Sequence, residues 1–395
     1  MLRHALTLFF ILLQLAASYA AAQPPPMLGA RAWILVDATS GARLAAYEPT
    51  ARLEPASLTK LMTAYVVFTA LNENRIALTD TVTVSPAAFA TPGKSGSRMY
   101  LEPGRAVNVD QLLRGMLTVS ASDAAVALAE HSAGSVDAFV DRMNAEVRRL
   151  GMANTHFANP TGQSDAQNYS SAEDMAILAR RLLTDFPQHA PLFAQREFTY
   201  NHVSQANRNR LLWTESHVDG MKTGQLSAAG WSVVATTARA QGEGERSFQR
   251  RLIAVVLGAP SDAARTQETL RLINHGYAAF DTVQLYRRGD VLAKPAIWKG
   301  ERGIVPVGVD HDVYVTVPAS ELRALGSEPL KSWIERSDPL LAPLQRGEKV
   351  GRMVISAGGR QVADVPVVAL ERVDSGGLIR RAYDAIVLWW RKRSG

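Results

Sequence analysis

Apolar positions fall into two textures along this chain. Through the first two thirds they recur at helical spacing: Leu61, Met62, Tyr65, Val66 and Leu71 form one series, which predicts a helix over 58–71 just after Pro55. Similar series predict helices over 109–117, 124–133, 135–150 and 171–183. Short β-branched and aromatic runs flank them, at 33–37 before the Ser40-Gly41 turn and at 231–236 and 252–257. Strands at both ends with helices between predict an antiparallel sheet packed by helices, an α+β unit over 27–280. Farther on the alternation shortens, at 283–286, 303–307, 312–317, 349–356 and 361–368, with turns near 288–290 and 357–360. That pattern predicts a small all-β, sandwich-like domain over 281–373.

Both ends carry their own signals. Arg3 and His4 precede an apolar run to Ala17 and a cluster of small residues ending at Ala22, which predicts an export signal over 1–22. The run is shorter than the ~20 residues a spanning helix needs. Over 374–395, a helical wheel places Leu378, Ile379, Ala382, Tyr383, Ala385, Ile386, Trp389 and Trp390 on one face. Arg380, Arg381, Asp384, Arg391 and Lys392 fall on the other. Paired tryptophans flanked by arginines predict an amphipathic helix lying in a membrane interface; the plainer reading is a helix packed on the protein body.

Composition narrows the chemistry. With 395 residues, 47% hydrophobic and 20% charged, there is material for about two globular domains. The absence of cysteine excludes disulfides, thiolate metal sites and a cysteine nucleophile. The net charge of +6 is scattered, with no basic stripe interleaved with aromatics, which argues against nucleic acid and for an anionic membrane or wall polymer. Eight histidines show no metal-ligand spacing. Pro92-Gly93-Lys94-Ser95-Gly96 resembles the end of a phosphate-binding loop, but Ala88 stands where its first glycine belongs. Ser95 and Ser97 are expected on a loop bordering the active site.

Three short motifs supply candidate chemistry. Ser57 precedes Lys60 by three residues at the start of a helix, so the two side chains share a face beside free N–H groups. A helix-capping serine with a solvated lysine would read the same way. Ser120-Ala121-Ser122 lies between two predicted helices, and Lys222-Thr223-Gly224 just before the strand at 231. Serine acyl transfer without histidine needs this equipment. A lysine made neutral by burial and a second cation, such as Lys222, can take the Ser57 proton. Ser120 can pass it to a leaving amine, while Lys222 and Thr223 can hold a carboxylate. Gly224 would keep the strand edge bare for a substrate backbone.

These motifs resemble those of the penicillin-binding proteins and serine β-lactamases. Leu112-Leu113-Arg114-Gly115, Asn154-Thr155-His156-Phe157, Tyr169-Ser170-Ser171-Ala172, Asn207-Arg208-Asn209 and Asp219-Gly220-Met221 leading into Lys222 narrow the resemblance. With Gly308-Val309-Asp310-His311-Asp312 and Ala342-Pro343-Leu344-Gln345 they are similar to the low-molecular-mass D-alanyl-D-alanine carboxypeptidases, over nearly the whole chain. The resemblance implies a β-lactamase/transpeptidase-like catalytic domain, no cofactor and no metal. It implies Ser57 as nucleophile, Lys60 as base, Ser120 as proton relay, and Lys222, Thr223, Gly224 and Ser122 as substrate-binding residues. Backbone N–H groups of Ser57 and Gln225 would form the oxyanion hole, and Arg208 and Arg265 would lie near the carboxylate end, unless they are ordinary surface ion pairs. The expected partners are peptidoglycan stem peptides, β-lactams and, through the C-terminal helix, the periplasmic face of a bacterial inner membrane; a homodimer is left open. The β domain would act as a spacer.

One position departs from the pattern. The family's middle motif ends in asparagine, where this chain has Ser122. Serine keeps a single hydroxyl on a shorter arm, so an altered site is expected. That departure keeps a weakly active or inactive wall-binding protein in view, beside a β-lactamase or endopeptidase on the same fold. No E-x-x-L-N run, as in class A β-lactamases, lies between Ser122 and Lys222.

Overall fold

The computed structural model describes residues 23–93, 96–244, 247–325 and 330–394. The predicted export signal over 1–22 and Ser95 lie outside the described residues. Two compact units divide the chain, one from Pro25–Gln241 with Ser247–Tyr277, the other mainly from Ala278–Gly395.

The first unit is built on a five-stranded antiparallel sheet in the order Arg43–Tyr47, Ala32–Asp37, Phe248–Ala259, Gly230–Gln241, Val218–Leu226. Side chains alternate between its faces. Ile34, Ile253, Val255 and Leu257 join the larger core beneath the helices, while Trp33, Leu35, Leu252, Ala254 and Val256 pack on the other face with Leu272 and Ile273. Both faces are therefore covered, which is why these strands read as short, nearly continuous apolar runs.

Five of the helices fall where the periodicity predicts them, at Thr59–Asn72, Val109–Thr118, Ser122–Ala133, Val136–Leu150 and Ala172–Asp185. Asn108, Ser135 and Ser171 cap three of them by accepting backbone N–H bonds, and Gly134 and Gly151 close two in left-handed conformations. Thr59–Asn72 differs from an amphipathic helix, because every residue from Thr59 to Phe68 is buried. A helix apolar all round is a core helix, and each fully buried side chain such as Phe68 contributes about 2–3 kcal/mol. The helix Asp262–Ala279 has only a weak apolar period and was not predicted.

The second unit has a five-stranded sheet ordered Val291–Ala293, Val307–Gly308, Arg360–Ala369, Lys349–Ala357, Lys331–Arg336, with ribbons Phe280–Tyr286/Val313–Pro318 and Ile297–Trp298/Leu340–Leu341. It also carries one short helix, Ala319–Leu325. The strand expected over 303–307 is broken: Ile304 forms an isolated antiparallel bridge with Ala296, Val307–Gly308 pairs in the sheet, and Pro306 between them has no N–H for a ladder. The C-terminal helix Leu378–Ser394 rests on this unit by its polar side. Asp384, 8% exposed, accepts from the Lys299 N–H at 2.6 Å; Arg380 donates to the Glu301 carbonyl and Arg391 stacks over Trp298. No described helix is long and apolar enough to cross a membrane.

Candidate active site

Ser57 sits in a single 3-10 turn, Ala56–Leu58, that feeds directly into the helix Thr59–Asn72. Its side chain makes no capping bond, and Lys60 is fully buried, so the capping-serine reading is excluded. Lys60 Nζ lies 3.3 Å from Ser57 Oγ, 3.2 Å from Ser122 Oγ and 2.6 Å from the Thr161 carbonyl oxygen. Burial, with the Arg208 guanidinium adding to it, brings the Lys60 amine down to about 7; the Asp123 carboxylate pulls the other way.

The middle motif lies at the mouth of the helix Ser122–Ala133. Ser120 adopts φ +65° just before it, and its hydroxyl is buried without a hydrogen-bond partner. A hydroxyl left in this state is free to serve an incoming group. Ser122 is the first helical residue, and its N–H donates to the Ser97 carbonyl at 2.9 Å. Next to it, Asp123 accepts the N–H groups of Met99 and Leu101, which fixes the loop along the cleft rim. Burial raises the Asp123 carboxyl despite those bonds.

Lys222, Thr223, Gly224 and Gln225 belong to the edge strand Val218–Leu226. Lys222 is 3% exposed and donates to the Thr223 carbonyl at 2.9 Å. Burial pushes its amine far down, and Lys60, Arg208 and Arg265 add to the effect. Burial and Arg208 depress Lys60, and the two buried amines repel each other. The reason for Gly224 is corrected in part. A Cβ there would meet the Pro55 carbonyl at 3.0 Å, Ala56 Cβ at 3.2 Å and Leu58 Cγ at 3.3 Å. Its bareness lets the nucleophile turn pack against the strand, not only a substrate.

These groups open on one cleft of about 880 Å³, walled by Ser57, Ser120, Ser122, Thr223, Gln225 and Arg208 among others. Ser97 and Arg265 also line it, while Lys60 and Lys222 lie buried behind its wall. Arg265 pairs with Asp262, donates to the Arg208 carbonyl at 3.2 Å and stacks over Trp231. Asp262 also takes Arg210, whereas Arg208 is exposed with no ion-pair partner among the described residues. Among the described residues, the cleft's cation without an ion-pair partner is thus Arg208. Asp262, Trp231 and Thr161 were not singled out from sequence. Thr161 acts through its backbone, and Asn159-Pro160-Thr161-Gly162 announces only a turn.

A buried lysine within reach of a serine, beside an edge strand and under a cationic rim, defines a serine acyl-transfer site. The sequence profile of the D-alanyl-D-alanine carboxypeptidases matches residues 18–261, and that of the penicillin-binding protein 5 C-terminal domain matches 280–375. D-alanyl-D-alanine carboxypeptidase DacC of Escherichia coli is 38% identical over 385 residues, covering 96% of this chain and 93% of that protein. The crystal structure of penicillin binding protein 5 from Haemophilus influenzae superposes with a TM-score of 0.81 at 36% identity, covering 89% of this chain and all of that one. Penicillin-binding protein D2 of Listeria monocytogenes, solved in an ampicillin-bound form, superposes at 0.54 with 26% identity, over 65% of this chain and all of its own. The chain belongs to the D-alanyl-D-alanine carboxypeptidase family, and D-Ala-D-Ala carboxypeptidase is its activity.

Proposed function

We propose that Ser57 carries this activity through an acyl-enzyme, with Lys60 as its base. A neutral lysine has two hydrogens and one lone pair. The Lys60 amine lies 2.6 Å from the Thr161 carbonyl oxygen, 3.2 Å from Ser122 Oγ and 3.3 Å from Ser57 Oγ; with its two hydrogens given to the first two, its lone pair would face Ser57. That arrangement is the observation that carries the reading. Ser57 Oγ attacks the carbonyl of the penultimate D-alanine of a peptidoglycan stem peptide as its proton passes to Lys60. The N–H groups of Ser57 and Gln225 receive the oxyanion. The C–N bond then breaks, Ser120 hands the proton to the departing D-alanine, and water hydrolyses the ester.

Thr223 and Arg208 bind the terminal carboxylate, and Arg265, paired with Asp262 and bonded to the Arg208 carbonyl, holds that rim in place. Burial disfavours the Lys222 ammonium, and the arriving carboxylate would favour it again, because a nearby anion stabilises the charged amine. Ser122 supplies the acceptor that Lys60 needs, but it lacks the amide donor that an asparagine would offer a substrate carbonyl. β-Lactams acylate the same serine. The chain is exported and held at the periplasmic face of the inner membrane by its C-terminal helix.

The test is release of D-alanine from a diacyl peptide ending in D-Ala-D-Ala, with a labelled-penicillin adduct measured in parallel. Both are expected from the wild type and neither from Ser57→Ala; serine-independent release would overturn the assignment.

A further inference from the structure

The turn 159–163 lies against the Ser57–Lys60 pair and belongs to none of the three motifs. A single atom, Asn159 Oδ1, accepts from Thr161 N–H at 3.1 Å, Thr161 Oγ1 at 2.9 Å, Gly162 N–H at 2.8 Å and Gln163 N–H at 3.2 Å. Asn159 Nδ2 returns a bond to the Gln163 carbonyl at 3.1 Å. With its N–H groups gathered inward, the turn presents two carbonyls to the nucleophile helix. Pro160 O accepts from Thr63 at 2.7 Å, and Thr161 O accepts from Lys60 at 2.6 Å. Gly162, at φ +80°, comes so close that a Cβ would stand 1.8 Å from the Ala56 oxygen and 3.0 Å from Ser57 N. The same turn therefore backs both members of the pair.

We propose that Asn159 is a positioning residue for acylation: its carboxamide oxygen locks the turn so that the Thr161 carbonyl fixes the Lys60 amine with its lone pair toward Ser57. The proposal rests on the Ser57–Lys60 reading above. Thr161 O is the nearest of the three partners of Lys60 and the only one that cannot also donate. Without Asn159 the turn loses its shared acceptor, the 161–162 peptide is free to rotate, and the amine loses its fixed reference. The charged groups that act on the Lys60 amine are Arg208 and Asp123, and Lys222, beside it, is acted on by Lys60, Arg208 and Arg265. Residues 159–163 contain none, so a substitution there changes local charge only by what it introduces.

The experiment is the pH profile of acylation by labelled penicillin for the whole mature protein, comparing wild type, Asn159→Ala and Asn159→Asp, with Ser57→Ala as control. Asn159→Ala is expected to lower the plateau about 100-fold, as for a misplaced catalytic group, and to move the acidic limb to lower pH. The limb moves because losing an acceptor favours the neutral amine. Asn159→Asp keeps the acceptor and adds negative charge, so the plateau should return to within about tenfold while the limb moves to higher pH. An unchanged profile in Asn159→Ala, or equal losses in both variants with the limb unmoved, overturns the proposal. Should Asn159→Ala not fold, the plateau of Asn159→Asp decides: a rate within about tenfold of wild type supports positioning by the retained acceptor, and a loss of about 100-fold refutes it. An adduct that survives Ser57→Ala removes the acylation reading instead.

Discussion

As the proposed base, Lys60 would tie activity to pH. Only its neutral form can take the Ser57 proton, and burial places the change near pH 7. Acylation should therefore rise through an apparent pKa of about 7, and Lys60→Arg, which stays charged, should remove it at every pH. Stability follows the same group. In the folded chain the amine titrates near 7, against 10.5 when free, so between these values the unfolded chain binds more protons and stability climbs with pH. Below about 7 both states are protonated and this contribution is flat. Denaturant midpoints taken from pH 7 to 10 should rise, and Lys60→Met should flatten part of the slope, the remainder belonging to Lys222. Ser122 gives a further residue-scale outcome. Ser122→Ala, which removes an acceptor from Lys60, should cut acylation by roughly tenfold, less than the ~100-fold or more that losing a proton-transfer group itself costs. Ser122→Asn should raise kcat/KM for the peptide severalfold by restoring the amide donor; no gain would make the serine a neutral replacement.

At the scale of elements, the nucleophile turn is held between the edge strand on one side and the 159–163 turn on the other. Gly224→Ala tests the strand side. With neighbours at 3.0 to 3.3 Å, including a backbone oxygen, the turn must shift by a few tenths of an ångström. The expected cost is about 1–2 kcal/mol in unfolding stability and roughly ten- to hundredfold in acylation, read by denaturant titration and penicillin labelling. A loss of peptide turnover with normal penicillin labelling would place the role of Gly224 with the substrate backbone alone. Much of this framework was legible before the structure. The helices at 59–72 and 109–118 follow from their apolar spacing, and the apolar runs at 231–236 and 252–257 mark the buried middles of the longer strands 230–241 and 248–259. The less legible parts carry little side-chain signal. The Thr161 carbonyl is a backbone group, and Asp123 works through N–H groups of a distant loop. The helix Asp262–Ala279, which carries Arg265, has only a weak apolar period.

For the whole molecule, the C-terminal helix raises the question of where the enzyme works. Its contacts with the second unit run through Arg380, Asp384 and Arg391, spaced along one side of the helix. The opposite side faces outward: Leu378, Ile379, Tyr383, Ile386, Trp389 and Trp390 are all more than half exposed. A helix that merely packs on its own domain would turn these residues inward, since each buried apolar side chain is worth about 1.5–3 kcal/mol. Docking by the polar side leaves an apolar ridge ending in two tryptophans and followed by Arg391, Lys392 and Arg393, the composition of an interfacial anchor. Co-sedimentation of the mature protein with vesicles should therefore depend on both features. Binding to vesicles rich in anionic lipid should fall with added salt, since each basic residue near the surface contributes about 1 kcal/mol. The double variant Trp389→Ala/Trp390→Ala should weaken it at least about tenfold, while D-alanine release in solution stays unchanged. Equal binding to neutral vesicles would show that the basic tail contributes nothing. Undiminished binding by the double variant would place the attachment elsewhere on the chain.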